Sequence, residues 1–134
     1  MFIWSAAHAV PPNSYTQTEC LESFVKSSQY GQLNPTSQIL LRRILRGDNG
    51  ITTRSLALDS VQEAFNLTPD ILQLRFQTHA PALASQAARN ALIKADLVSQ
   101  DLDAVIISTC TGYLCPGLTS YLSESLGLDP SMIL

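Results

Sequence analysis

The sequence predicts an α/β fold, and three observations carry that expectation. Segments of helical periodicity alternate with short apolar or β-branched runs along the whole chain. One run, residues 102–109 (LDAVIIST), is apolar almost throughout, as a parallel strand covered on both faces would be. The composition agrees: 46% of the 134 residues are hydrophobic and only 14% are charged, against about 25% charged in an average soluble domain. So little charge points to segments buried from two sides.

The elements follow in order. Residues 2–10 read as a short apolar strand, stopped by a turn at Pro11-Pro12-Asn13, because proline supplies no ladder donor and restricts the residue before it. Thr16 can cap a helix with Glu19 three positions on, the capping-box spacing, and Cys20, Leu21, Phe24 and Val25 then share one face. A second helix is expected from Ser37, as its cap, to Arg46, ended by the turn chemistry of GDNG. Residues 51–58 have the β-branched content of a strand. Residues 60–65 and 69–76 read as helical, and residues 81–95 as a longer helix. There Leu83, Ala87, Ala91 and Ala95 recur every four residues beside Ala84, Ala88 and Leu92, a stripe small enough for close packing on another element. After the 102–109 strand comes a loop, TCTGYLCPG, then a helix over 118–126 closed by Gly127. The apolar residues 131–134 read as the start of one more buried strand, cut short.

Several function classes are excluded at this level. The formal net charge is −3, so no global basic field attracts nucleic acid. Three cysteines (Cys20, Cys110, Cys115) are too few and too irregular for a disulfide framework, and Cys110 and Cys115 lack CxxC spacing. They read as buried, reduced thiols. With two histidines and no cluster around them, no zinc site is expected, and both His8 and His79 read as structural. Ala7-His8-Ala9 imitates a signal-peptide cleavage site, but no Lys or Arg precedes a run that is itself short and interrupted. No stretch approaches the roughly 20 apolar residues of a membrane span.

Four stretches, taken together, carry a family resemblance. They are AHAVPPNSYTQTE (7–19), LLRRILRGDNGITTRSLAL (40–58), APALASQAARNALIKADL (80–97) and LDAVIISTCTGYLCPGLTSYLSESLGL (102–128). In this order they resemble the amino-terminal part of the type III polyketide synthases, the chalcone and stilbene synthase-like branch of the thiolase superfamily. The CTGYLCPGL wording leans toward these rather than toward ketoacyl synthase III or HMG-CoA synthase. The resemblance implies that residues 1–134 form the amino-terminal half of a thiolase-like layered α/β domain. It also implies an acyltransferase activity: decarboxylative condensation of an acyl-CoA starter with malonyl-CoA, in a cytoplasmic homodimer.

In that family a cysteine takes the acyl group, and a histidine and an asparagine support it. Thiolate is the competent nucleophile, and hydrogen-bond donors can stabilise the thioester oxygen. The resemblance places all three beyond Leu134, so no residue of this chain is expected to be catalytic. It does imply binding positions. Cys110 and Thr111 match small polar residues lining the acyl pocket, and Cys115 matches a position that reaches toward the partner's pocket in the homodimer. Arg43 matches a basic residue that contacts coenzyme A, whose phosphates suit guanidinium groups. Arg46 is a looser match, because GDNG carries one extra residue. Arg54 is expected to be structural. Coenzyme A thioesters would be substrates, with no permanently bound cofactor. Two other readings are a non-catalytic remnant that binds acyl-CoA or a full-length homologue, and a ketoacyl synthase III-like fragment.

Overall fold

A computed structural model describes residues 2–47, 49–129 and 131. The chain divides into two compact units, one formed by Pro11–Thr68 and the other by the chain on either side of it.

In the Pro11–Thr68 unit, β1 (Asn13–Thr16) pairs antiparallel with β2 (Thr53–Leu56), Asn13 opposite Leu56 and Thr16 opposite Thr53. The ladder therefore starts where the sequence predicted a turn. Pro11 and Pro12 have no N–H to give, so pairing begins at the first residue beyond them that does. β2 is shorter than predicted. Its continuation is held by side chains instead: Asn13 Nδ2 and the Tyr15 hydroxyl both donate to the Leu58 carbonyl, at 2.8 and 2.9 Å.

α1 (Gln17–Lys26) starts as its sequence demands. The Glu19 N–H donates to Thr16 Oγ1, and the Thr16 N–H donates back to the Glu19 carboxylate at 2.7 Å, so two orphan donors are satisfied at once. Leu21 is buried, with Cys20, Phe24 and Val25 half-buried beside it. A short α2 (Ser28–Gln32), which the sequence did not announce, leads into α3 (Pro35–Arg46). α3 begins earlier than predicted. Its cap is Asn34, whose Oδ1 accepts the Ser37 N–H at 2.8 Å, and Pro35 occupies the first turn, where its missing N–H costs nothing. Ser37 is a first-turn residue of α3 and not its cap. The segment Val61–Phe65 is a 3-10 helix.

The second unit is built on one long helix, α4 (Pro69–Ala95), which joins the two shorter helices expected at 69–76 and 81–95 and carries Pro81 inside it. α4 packs on α5 (Leu118–Leu126), which has the predicted bounds. The alanine stripe behaves as expected. Ala84 and Ala88 pack against Leu122, Leu126 and Leu128, which form the buried cluster of this unit.

The two outlying strands predicted at 2–10 and 102–109 are not in a sheet. Within 102–109 only Ala104 makes an isolated bridge. Leu102, Val105 and Ile107 pack on the α4–α5 cluster, while Ile106 between them is 94% exposed. The two-residue alternation of a strand is present, but one face is covered and not two. The 2–10 segment is tied to α4 by side chains: Ser5 Oγ donates to the Ala91 carbonyl at 2.7 Å, and Asn90 Nδ2 to the His8 carbonyl at 3.2 Å. A strand needs a neighbour to supply its ladder, and among the described residues neither segment finds one. The strand predicted at 131–134 falls, apart from Ser131, outside the described residues.

Candidate functional site

Residues 109–117 connect the apolar segment to α5, and three contacts fix their path. Thr109 Oγ1 donates to the Gly112 carbonyl at 2.9 Å, closing a tight turn. Gln73 Nε2, from α4, donates to the Tyr113 carbonyl at 2.6 Å. Gly112 lies against the Phe76 ring, where a Cβ would stand 2.5 Å from the nearest ring atom, so this close approach requires glycine. Leu114 is buried beneath the loop.

Behind the loop is a cavity of about 210 Å³. Phe76, Ile107, Leu114 and Leu118 give it apolar walls, and Thr109 and Thr119 contribute hydroxyls. Cys110, Thr111 and Cys115 belong to the same loop but are exposed and do not line this cavity. The expectation of buried thiols is thus corrected for Cys110 and Cys115, which are free and exposed. They sit on loop backbone over which no second layer of described residues packs. Thr109 and Thr119 are lining residues that the sequence reading missed. The parity of the apolar segment was the available signal, since Thr109 shares the inward register of Val105 and Ile107, and Cys110 does not.

The three arginines of α3, Arg42, Arg43 and Arg46, divide in the structure. Arg42 is half-buried: its Nε donates to the Tyr30 hydroxyl at 2.7 Å, and its guanidinium lies 5.3 Å from the Tyr30 ring centre. Tyr30 in turn meets Phe24 edge-on at 6.2 Å, and Phe24 meets Phe65 at 5.4 Å. Arg43 and Arg46 are exposed in the last turn of α3, where cations offset the unpaired carbonyl ends of the helix. Between α1 and α3 runs a groove of about 190 Å³ floored by Leu21 and Val25. Lys26, Arg42 and Arg46 line it, with Glu22 as the one opposing charge, and Arg43 stands outside it. Arg54 is half-buried, with Nη2 donating to Gln17 Oε1 at 3.1 Å.

Burial pushes the Cys20 thiol above its ordinary range, with nearby Glu19 adding to the effect and Arg54 opposing it. A thiol so placed is a poor nucleophile near neutral pH. Among the described residues no group of three or more His, Cys, Asp or Glu side chains could hold a metal ion, and no helix is long and apolar enough to cross a membrane.

The fold is part of a thiolase-like α/β protein, and its solved counterparts are type III polyketide synthases. PKS-I of the brown alga Ectocarpus siliculosus superposes with a TM-score of 0.78 at 25% identity, over 98% of this chain and 37% of that one. A fungal type III polyketide synthase, ORAS, gives 0.74 at 24% identity, over 98% and 34%. The 1,3,6,8-tetrahydroxynaphthalene synthase of Streptomyces peucetius subsp. caesius is 30% identical over 125 residues, which cover 92% of this chain and 32% of that protein. The synthase of the same name from Streptomyces griseus is 24% identical over 124 residues, with the same coverage. No family model matches the chain. The chain is a homologue of the type III polyketide synthases and spans about a third of the length of these curated relatives.

Proposed function

We propose that this chain supplies the coenzyme A-contacting and pocket-lining part of a type III polyketide synthase-like acyltransferase, and that it does not condense substrates unaided. The observation that carries the proposal is a match to these enzymes over 92% of the chain but only 32% of theirs. The reaction would be the decarboxylative joining of an acyl-CoA starter to malonyl-CoA, performed by a cytoplasmic homodimer. Arg43 and Arg46 would hold coenzyme A phosphates, and Cys110, Thr111 and Cys115 would border the acyl group. Of these residues Arg46 has structural support, since it lies on the basic edge of the α1–α3 groove; the other placements rest on the family resemblance. The nucleophilic cysteine and its histidine and asparagine are assigned to sequence beyond Leu134. Cys20 is an unsuitable substitute because its thiol is held protonated by burial.

Purified chain incubated with acyl-CoA starters and labelled malonyl-CoA should give no product above a protein-free control. Turnover would return Cys110 or Cys115 to consideration as nucleophiles. For coenzyme A itself, Arg43→Ala and Arg46→Ala should each weaken binding by about 1.5–3 kcal/mol, the range for a charge-assisted contact. Arg54→Ala should leave the intrinsic affinity unchanged, since that guanidinium is engaged with Gln17. Equal losses from all three would reduce the interaction to diffuse charge attraction.

A further inference from the structure

The carboxamide of Asn49, in the link from α3 to β2, has no part in acyl transfer. Asn49 precedes Gly50, and both are exposed. Three contacts hold the carboxamide. Its Oδ1 accepts the Ile51 N–H at 3.1 Å and Gln17 Nε2 at 3.1 Å, and its Nδ2 donates to the Ile44 carbonyl at 3.0 Å. These partners distinguish the two ends of the amide, since the Ile51 N–H can only donate and the Ile44 carbonyl can only accept.

Gln17 is itself fixed. It is only 7% exposed, its Nε2 also donates to the Ile51 carbonyl, and its Oε1 accepts from Arg54. The two donors on Asn49 Oδ1 therefore stand in place before any reaction, as the donors of an oxyanion hole do, and they draw electron density from Cγ. A nucleophile is tethered beside that carbon, the Gly50 amide nitrogen. Its N–H makes no hydrogen bond among the described residues. No heavy atom comes within 4 Å of the place a Gly50 Cβ would take, so nothing crowds the nitrogen from that side. Holding the two reacting groups in one short segment removes the entropy of bringing them together.

We propose that Asn49 is a self-modification site, at which the folded chain accelerates its own deamidation through a succinimide and thereby loosens the end of α3. The Gly50 amide loses its proton to solvent hydroxide, and its nitrogen bonds to Asn49 Cγ. The Ile51 N–H and Gln17 Nε2 hold the oxyanion that forms on Oδ1. The Cγ–Nδ2 bond then breaks, and Nδ2 leaves as ammonia with a proton from water. Water next opens the ring at either carbonyl. Breaking the bond from Gly50 N to Cγ gives aspartate, and breaking the bond from Gly50 N to the Asn49 carbonyl carbon gives isoaspartate. Water is the one co-reactant, and nothing is oxidised or reduced. The product has no amide donor for the Ile44 carbonyl and turns a carboxylate oxygen toward it instead. The site is independent of the polyketide synthase reading.

The test is incubation of the full 134-residue chain beside the free peptide of residues 47–54, GDNGITTR, whose counterpart trypsin releases from the chain for mass spectrometry. Asn49 is the one side-chain amide in that fragment. The chain should deamidate about tenfold faster than the peptide, a smaller factor than a water-excluded oxyanion hole gives, because this site is exposed. The rate should rise with pH, and both aspartate and isoaspartate should form, as ring opening requires. Gln17→Met keeps an apolar stem but no donor, and should slow the chain towards the peptide rate while retaining the far-UV signal. Ile51→Pro removes the other donor and should do the same. Asn49→Asp should lower the urea midpoint of the far-UV signal. If the hydrogen bonds restrain the carboxamide instead of activating it, the chain reacts more slowly than the peptide and Gln17→Met reacts faster. A chain no faster than the peptide, aspartate as the sole product, a rate unaltered or raised in both donor variants, or an unchanged midpoint in Asn49→Asp would overturn the proposal.

Discussion

Single residues decide how the helices of this chain begin, and Glu19 shows it most directly. The Thr16 N–H and then the Thr16 hydroxyl stabilise its carboxylate, holding its pKa below the ordinary range. A carboxyl depressed in the folded state contributes stability above its unfolded value, about 4.3. That contribution is lost as pH falls through the lower folded value. Glu19→Gln keeps an acceptor at the same position but cannot titrate. The helical far-UV signal of the native chain should therefore exceed that of Glu19→Gln at about pH 6 and converge with it by about pH 3. A gap that does not change with pH would show that the capping box contributes no charge-dependent stability.

At the scale of elements, the C-termini of α4 and α5 solve one problem with different residues. Both helices end with the chain in the left-handed region. In each, the following amide reaches back to a carbonyl five residues earlier: Leu97 to Leu92 at 3.1 Å, and Leu128 to Ser123 at 3.0 Å. At α5 the left-handed residue is Gly127 (φ 63°), and at α4 it is Asp96 (φ 56°). Glycine adopts that geometry without a Cβ clash, whereas an L residue loses about 1–2 kcal/mol there. Asp96→Gly should accordingly increase protection of the Leu97 amide against hydrogen exchange by roughly that free energy, and Gly127→Ala should reduce protection of Leu128 by a similar amount. Opposite signs in the two variants are the expected result, and equal signs would mean that the cap geometry is not what closes these helices.

For the molecule as a whole, the cores are thin against the apolar surface left outside. Six hydrophobic side chains are buried among the described residues, Leu21 and Val61 in one unit and Leu114, Leu122, Leu126 and Leu128 in the other. Meanwhile Phe2, Ile3, Trp4, Ile93 and Ile106 are largely exposed. Each such side chain forgoes about 1.5–3 kcal/mol of burial, which is large beside the roughly 5–15 kcal/mol that holds an ordinary domain together. Unpaired strand-like segments add a tendency to associate. The chain alone should bind an apolar dye, unfold over a broad range and self-associate with concentration. Co-expression with the remaining two thirds of a type III polyketide synthase should suppress all three. A sharp, concentration-independent unfolding transition without dye binding would show that the chain is self-sufficient.

Local chemistry made much of this legible in the sequence. The Thr16–Glu19 box, the Gly127 stop and the alanine stripe of α4 all rest on neighbours within five residues in sequence or on helical spacing, and the four motifs were enough to reach the family. Asn34 and not Ser37 caps α3, and since Asn34-Pro35 is itself a strong helix start, that boundary lay within the sequence's reach. Tertiary structure decided what depends on partners distant in sequence. Residues 102–109 have the apolar run of a two-sided strand, yet among the described residues only the α4–α5 cluster covers them, because none of those residues supplies a ladder or a second layer. The binding residues divide in the same way. Residue type and motif placed Cys110, Thr111 and Cys115 on one loop, but the fold put Thr109 and Thr119 on the cavity wall. The four-residue spacing of Arg42 and Arg46 puts them on one helix face. Only packing determined that Tyr30 engages Arg42 while Arg43 stands outside the groove.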